Sequence, residues 1–251
     1  MSRRRLLVTG ASGLLGGRLA EILSSSHDVI AVRHRGPVPE GLSVVDADIL
    51  DHGALDRAFE TARPDAVAAL RGHGRSAITA RAEPDLACAA ATSTAARRSR
   101  GGAGRGARFV TFSTDLVFGG DRAFVTEDDP PRPSQHYGRT KVEAEDAVLA
   151  ESGEAAVLRI ALVVGRGFGP RTSATEAVAS ALAAGRRPRL CPRSVPHADR
   201  PFASIADAVA RVLDRRASGR FPRRGRGAPQ PGTRWASAWP ACWACAPTSR
   251  G

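Results

Sequence analysis

The chain contains very little lysine, tyrosine and cysteine. Among 251 residues with 37 basic side chains, Lys141 is the single lysine and Tyr137 the single tyrosine, so the other basic residues are arginines. Its 4 cysteines are too few to predict a disulfide framework. No apolar run reaches the roughly 18–20 residues of a membrane-spanning helix. No long apolar segment follows the basic start, so we expect no signal peptide and a cytoplasmic protein.

The formal net charge of +12 is the feature that favours a nucleic-acid partner. The positive charge, however, is concentrated in four segments rich in arginine, glycine, proline and alanine, and the rest of the chain is nearly neutral. The segments are 70–82, 88–106, 191–202 and 221–251. We therefore expect neither nucleic acid nor a membrane as a partner.

These four segments also contain every tryptophan and cysteine and lack the pattern of a strand or a helix. We interpret them as out-of-frame readings of GC-rich DNA; a divergent arginine-rich loop and tail is the alternative. Cys242 and Cys245 lack a second ligand pair at usable spacing, so we expect no metal site.

A glycine turn near the start joins an apolar strand to a helical pattern, in "RRLLVTGASGLLGGRLAEIL". The spacing of Gly10, Gly13 and Gly16 is typical of a turn that brings backbone close to a pyrophosphate, which then lies on the helix N-terminus. A tight strand–helix turn without a ligand is the alternative. The candidate cofactor-binding residues here are Gly10, Ser12, Gly13, Leu14, Leu15 and Gly16.

Two arginines follow the second apolar run, "DVIAVRHRG". Folds that bind NAD usually carry an acidic residue near this point, which bonds to the ribose 2′-hydroxyl. Arg33 and Arg35 instead match the charge and geometry of a 2′-phosphate. The sequence therefore predicts NADP over NAD, with solvated loop charges as the alternative.

Apolar runs and helical patterns alternate along the first part of the chain, which predicts an α/β fold with a doubly wound parallel sheet of the Rossmann type. We expect residues 1–165 to form the NAD(P)-binding domain and residues 166–251 a small substrate-binding lobe, irregular over 221–251. Because the out-of-frame segments fall there and in the sheet, we expect the lobe and one central strand to be degraded.

The candidate catalytic residues follow a late strand in "ARFVTFSTDLVFGG" and begin a helix in "QHYGRTKVEAE". Thr114 ends the strand, where ligands of such sheets bind. Tyr137 and Lys141 are four residues apart and so share a helix face. A phenol titrates near ~10, and a neighbouring cation lowers that pKa. An arginine would be bulkier and planar, so a lysine in an arginine-rich chain indicates a specific role; a surface pair is the alternative.

Several stretches together resemble the extended short-chain dehydrogenase/reductases, and most closely the dTDP-4-dehydrorhamnose reductase family. They are "VTGASGLLGGRL", "DADILD", "FSTDLVFGG", "EDDPPRPSQHYGRTKVEAE" and "LRIALVVGRGFGP". The resemblance implies a catalytic triad of Thr114, Tyr137 and Lys141, with Asp48 and Ile49 bordering the adenine. It implies NADPH-dependent reduction of a nucleotide-linked 4-keto-6-deoxysugar, with Tyr137 as proton donor, and it allows a homodimer.

Two other functions remain open at this stage. An NAD-dependent nucleotide-sugar epimerase or dehydratase would share the glycine turn and the triad. A non-catalytic binding subunit would keep the reductase-like fold without the reaction. The sequence names neither the sugar nor the nucleotide.

Overall fold

The computed structural model describes most of the residues that carry these motifs. The described residues are 3–70, 96, 106–119, 125–126, 129–161, 163–169, 172–187, 200–215 and 218–222. The strands are β1 Arg5–Thr9, β2 Asp28–Arg33, β3 Ser43–Asp46, β4 Ala66–Ala69, β5 Arg108–Thr114, β6 Ala156–Ile160, β7 Val163–Val164, β8 Arg200–Pro201 and β9 Gly219–Pro222. The helices are α1 Leu14–Leu23, α2 His52–Ala62, α3 His136–Glu151, α4 Ala174–Ala183 and α5 Phe202–Arg215, and a 3₁₀ turn follows β5 at Asp115–Val117.

Seven strands form one parallel sheet in the order β3-β2-β1-β4-β5-β6-β9. Strand β4 lies near the middle, and all four of its residues are buried. Apolar strands buried on both faces are typical of a parallel sheet covered by helices. The predicted doubly wound α/β fold is therefore confirmed.

Helices cover both faces of the sheet, and neighbouring residues of one strand point into different cores. On β5, Val110 packs with Leu19 of α1 and Val209 of α5. The adjacent Phe109 packs with Phe59 of α2 and Val148 of α3. Successive side chains of a strand alternate between faces, so one short apolar run serves both cores.

The sheet is continuous from β3 to β9, so the expected loss of a central strand is not observed within it. β4 pairs directly with β5, from Ala66 opposite Arg108 to Ala69 opposite Thr111. The bulk of the four segments interpreted as out of frame lies outside the described residues. The described members of those segments are Leu70, Ala96, Gly106, Arg200, Pro201, Phe202, Phe221 and Pro222.

The end of the described chain belongs to the main sheet. Phe221 lies opposite Leu158 of β6 and packs against the core beneath α1 and α5. We expected 221–251 to be irregular, and this is wrong for Phe221 and Pro222, because an apolar side chain in register with β6 extends the sheet. The division into two domains at residue 165 stays a prediction. None of the helices within the described ranges has the length and apolar character needed to cross a membrane.

A buried ion pair joins α3 to the sheet. The carboxylate of Glu145 accepts hydrogen bonds from Arg159 Nε at 3.0 Å and from its Nη2 at 2.6 Å, and both side chains are 1% exposed. Arg220 of β9 donates to the same carboxylate at 3.0 Å and also pairs with Asp146. The Arg159 guanidinium lies 5.1 Å from the centre of the Phe118 ring, an attractive cation–π distance.

We expect Glu145→Ala to lower the free energy of unfolding by about 3–5 kcal/mol, because it leaves Arg159 buried without its counter-charge. Urea denaturation of the full chain measures the change. Asp207→Ala is the matched control, since Asp207 pairs with Arg211 on the exposed face of α5, and exposed helix pairs contribute only about 0.5 kcal/mol. Equal decreases in the free energy of unfolding of the two variants would contradict the larger stabilisation that we assign to the buried pair.

Candidate functional site

The glycine turn after β1 is closed so tightly that side chains do not fit at two of its positions. Gly10 adopts φ +67, and a Cβ there would lie 2.1 Å from the Leu70 carbonyl oxygen. A Cβ at Gly16 would lie 2.2 Å from the carbonyl oxygen of Gly10. The amide of Gly13 donates to that same oxygen at 2.9 Å. The turn therefore requires glycine both for its left-handed backbone and for the close approach of α1.

A side chain that the sequence analysis did not single out supports this turn. The hydroxyl of Thr9 donates to the Leu70 carbonyl and accepts from the Leu70 amide, each at 3.1 Å. Both residues are buried. These two bonds tie the end of β1 to the residue after β4. Sequence spacing gave no signal for the contact, because the partners are 61 residues apart.

The N-terminus of α1 is built to accept an anion. Its N-cap is Gly13, which offers no side-chain hydrogen bond, and its first turn contains no acidic residue. The first amides of a helix have no partner within the helix, and they carry the positive end of its dipole. Backbone donors at this end therefore suit a phosphate group.

Three segments meet around Ser12. A Cβ on Gly36, in the loop after β2, would lie 3.7 Å from Ser12 Cβ. A Cβ on Gly169 would lie 3.5 Å from the Ser12 carbonyl oxygen. The predicted residues Ser12, Leu14 and Leu15 are all partly buried. The glycine turn is thus flanked by the loop after β2 and by the loop after β7.

The loop after β7 is clamped onto α1. Phe168 donates its amide to the Leu14 carbonyl at 3.2 Å. Its ring lies so close to Gly17 that a Cβ there would be 2.2 Å from Phe168 Cδ1. We name residues 165–169 the α1 strap. The sequence analysis quoted this stretch for its resemblance but assigned it no contact.

The carboxylate of Glu176 holds the other side of the α1 strap. It accepts from the Gly167 amide at 3.2 Å and from the Ser173 amide at 2.9 Å. Partial burial raises the pKa of Glu176, but these backbone hydrogen bonds outweigh it and bring the pKa below the usual range. Ser173 in turn receives the Glu176 amide, which completes a capping box at the start of α4.

The end of β2 places Arg33 beside a carboxylate. Arg33 lies opposite Asp46 of β3, and its fork donates to both carboxylate oxygens, with Nε to Oδ1 at 2.6 Å and Nη2 to Oδ2 at 2.8 Å. This bonding lowers the pKa of Asp46 and raises that of Arg33. The guanidinium of Arg33 therefore already forms two hydrogen bonds with Asp46, a contact that the sequence analysis missed. Arg35 is exposed.

The two residues expected at the adenine follow β3. Asp48 Oδ1 accepts from the Leu50 amide at 3.0 Å, and Asp48 Oδ2 lies 3.6 Å from Nε2 of His34. Ile49 is partly buried and packs against the core beneath α2. Asp48 therefore lies next to the loop that follows β2, at the same edge of the sheet as the glycine turn.

The predicted catalytic residues gather at the carboxyl end of β5. Lys141 Nζ donates to the Phe112 carbonyl at 3.0 Å. Thr114, 9% exposed, ends the strand and accepts the Leu116 amide at 3.2 Å on its hydroxyl oxygen. Tyr137 lies one helical turn before Lys141 on α3 and is partly buried.

Close packing of α3 on the 3₁₀ turn supports this grouping. A Cβ on Gly138 would lie 2.3 Å from the Leu116 carbonyl oxygen, so the first turn of α3 touches backbone there. The glycine turn follows β1, and β4 alone separates β1 from β5. Adjacent strands are about 4.8 Å apart, so the two parts of the site are separated by about 10 Å. Within the described residues, no group of three or more His, Cys, Asp or Glu could hold a metal ion.

We expect Gly17→Ala to lower the free energy of unfolding by about 1–3 kcal/mol, since its Cβ would collide with the Phe168 ring. In a Phe168→Ala background the same change should cost less, because the ring atoms at 2.2 and 2.3 Å are gone and only the Cβ of residue 168, at 2.6 Å, has to move. A double-mutant cycle by urea denaturation measures this coupling.

Gly53→Ala is the control for the cycle, because a Cβ on Gly53 of α2 meets atoms no closer than 3.4 Å. It should behave alike in both backgrounds. Additive effects of Gly17→Ala and Phe168→Ala would contradict the docking of the α1 strap on α1.

Comparison with known proteins identifies the family. The family described as RmlD substrate binding domain matches residues 4–185. Methionine adenosyltransferase 2 subunit beta of Rattus norvegicus is 31% identical over 163 residues, which are 64% of this chain and 48% of that protein. A probable dTDP-4,6-dihydroxy-2-methyloxan-3-one 4-ketoreductase of Streptomyces antibioticus is 35% identical over 175 residues, covering 64% of this chain and 52% of that protein. The chain thus spans about half the length of these curated relatives.

The fold agrees with solved structures. A putative epimerase from Burkholderia cenocepacia J2315 superposes with a TM-score of 0.73 at 24% identity, covering 88% of this chain and 75% of that one. Such a likeness shows the fold, and the family match rests on more than half of the chain. The chain therefore belongs to the RmlD substrate binding domain family, that of dTDP-4-dehydrorhamnose reductase.

Proposed function

We propose that the chain is an NADPH-dependent reductase of a nucleotide-linked 4-keto-6-deoxysugar. The observation that carries the proposal is the single lysine. Its ammonium donates to the Phe112 carbonyl near the end of β5, the strand that ends at Thr114. On α3, Lys141 lies one helical turn after Tyr137. A cation kept there favours the ionised form of a nearby phenol and so helps it to give up a proton.

Each of the three residues has a separate task in this reaction. The nicotinamide dinucleotide, held by the glycine turn, would supply hydride to the carbonyl carbon of the sugar. Tyr137 gives its phenolic proton to the carbonyl oxygen as negative charge develops there. Lys141 stabilises the phenolate that remains, and its ammonium would also hold a ribose hydroxyl of the cofactor. Thr114 would donate a hydrogen bond to the same carbonyl oxygen, in place of the one that its hydroxyl makes to Asp115 Oδ1 at 3.2 Å, and so would fix the position of the ketone.

The fit of the dinucleotide rests on the glycine turn. The collision of any Cβ at Gly10 or Gly16 with backbone keeps the turn compact. The uncapped start of α1 leaves backbone donors for the pyrophosphate. We assign the cofactor to the turn residues Gly10, Ser12, Gly13, Leu14, Leu15 and Gly16, with Arg33, Arg35, Asp48 and Ile49 at its adenosine end.

We expect the purified chain to oxidise NADPH, followed at 340 nm, when dTDP-4-keto-6-deoxy sugars are added. Tyr137→Phe should lower kcat by about 10²–10⁴-fold, because the proton donor is lost. Lys141→Arg should also lower kcat, since a planar guanidinium does not replace the compact ammonium. Both variants should keep the cooperative unfolding transition of the parent chain.

Arg139→Gln is the control, since Arg139 is exposed on the same helix between the two residues. It should keep full activity. Net oxidation of free NADPH separates a reductase from an epimerase or dehydratase, which returns the hydride to its product. Retained turnover in Tyr137→Phe would refute the assigned proton donor.

A non-catalytic binding subunit is the second candidate, favoured by the relatives named as a subunit of methionine adenosyltransferase 2. The chain would then bind the dinucleotide as a structural ligand and serve a partner enzyme. Tight NADPH binding without turnover of any keto sugar, and an unchanged phenotype for Tyr137→Phe, would favour this function over the reductase.

A further inference from the structure

The ion pair between Arg33 and Asp46 lies at the end of β2, where the proposed function places the 2′-phosphate. Arg33 is the last residue of β2, and the loop that follows it reaches Ser12 of the glycine turn. Its guanidinium donates one hydrogen bond to each carboxylate oxygen of Asp46, at 2.6 and 2.8 Å. This is the same fork geometry that arginine offers to a phosphate.

The pair is exposed, so it can be exchanged for another anion. The Arg33 side chain is 41% exposed and that of Asp46 66% exposed. Exposed pairs contribute little free energy, because water solvates both partners well. A phosphate carries more negative charge than a carboxylate and can displace it, but Asp46 then remains beside the new anion as a like charge.

The other charged groups near the Arg33–Asp46 pair do not offer a phosphate a second arginine free of carboxylate neighbours. His34 lies beside Asp48, with Nε2 at 3.6 Å from Oδ2, which places a second carboxylate at this edge of the sheet. Arg35 is exposed in the loop. A 2′-phosphate would therefore meet two arginines and two acidic residues, one of which already holds the Arg33 fork.

We propose that Asp46 sets the preference between NADP and NAD by competing with the 2′-phosphate for the guanidinium of Arg33. The inference rests on the proposed dinucleotide function. In this arrangement the carboxylate weakens the attraction of Arg33 for the phosphate, while a cofactor with a free 2′-hydroxyl gains nothing from breaking the pair. The chain therefore discriminates less strongly against NAD than two unopposed arginines would.

The experiment compares the affinity of the full chain for reduced cofactors and for their adenosine fragments. NADPH and NADH are titrated by nicotinamide fluorescence, and adenosine 2′,5′-bisphosphate and 5′-AMP by calorimetry. Asp46→Asn should tighten NADPH and the bisphosphate by about two- to fivefold, the range of a released exposed pair. NADH and 5′-AMP should be unaffected. Raising the salt to about 0.5 M should reduce the gain, because the groups are exposed.

Two further variants make the result specific. Asp28→Asn removes one negative charge, as Asp46→Asn does, but at the other end of β2, where Asp28 pairs with Arg5 at 3.9 Å. It should leave the affinities for all four ligands unchanged. Arg33→Gln should weaken NADPH and remove the effect of Asp46→Asn when the two changes are combined. Thermal unfolding of each variant shows that it is folded.

The possible results distinguish the role of Asp46 from the proposed dinucleotide binding on which it rests. A gain confined to the 2′-phosphorylated ligands and dependent on Arg33 supports the role of Asp46. An equal change for both cofactors, no change, or weaker NADPH binding in Asp46→Asn overturns it while the dinucleotide function stands. Failure of the parent chain to bind either reduced cofactor overturns the proposed function, and the inference with it.

Discussion

The carboxylate of Glu145 fixes α3 on the sheet, and the position of Tyr137 and Lys141 depends on that helix. Arg159 of β6 and Arg220 of β9 donate to this carboxylate from two strands. A buried ion is costly unless its hydrogen bonds are satisfied, so small shifts of the helix are resisted. Residues 137, 141 and 145 recur every four positions on one face, which links the ammonium at the end of β5 to the buried pair.

The carboxyl edge of the sheet gathers the rest of the site. Thr9 ties the ends of β1 and β4 together through Leu70, and the glycine turn closes against the same carbonyl oxygen. The α1 strap is a third element at this edge, and its Phe168 ring packs on Gly17 of α1. Parallel strands place their carboxyl ends at one edge, so loops from distant parts of the chain converge there.

Charge at the carboxyl ends of β2 and β3 is balanced within the protein. Arg33 is paired with Asp46, and His34 lies beside Asp48. The family match ends at residue 185, whereas β9, which completes the sheet, and α5, which packs on one face of it, lie beyond that residue. Arg220, which donates to Glu145, is among those later residues, so the contacts that hold α3 extend past the matched region.

The sequence by itself determined the parallel α/β fold, the glycine turn and the helix with Tyr137 and Lys141, because these depend on local periodicity and on residue types within a few positions. Apolar runs as short as that of β4 still identified strands, since both faces of a central strand are buried. Only the tertiary structure decided which side chains meet across strands. Arg33 and Asp46 are 13 residues apart, Thr9 and Leu70 61, and Glu145 and Arg220 75. Such contacts follow from strand order and register, which no local pattern encodes. Strand register therefore turned Arg33, which appears in the sequence as an unopposed cation, into half of an ion pair.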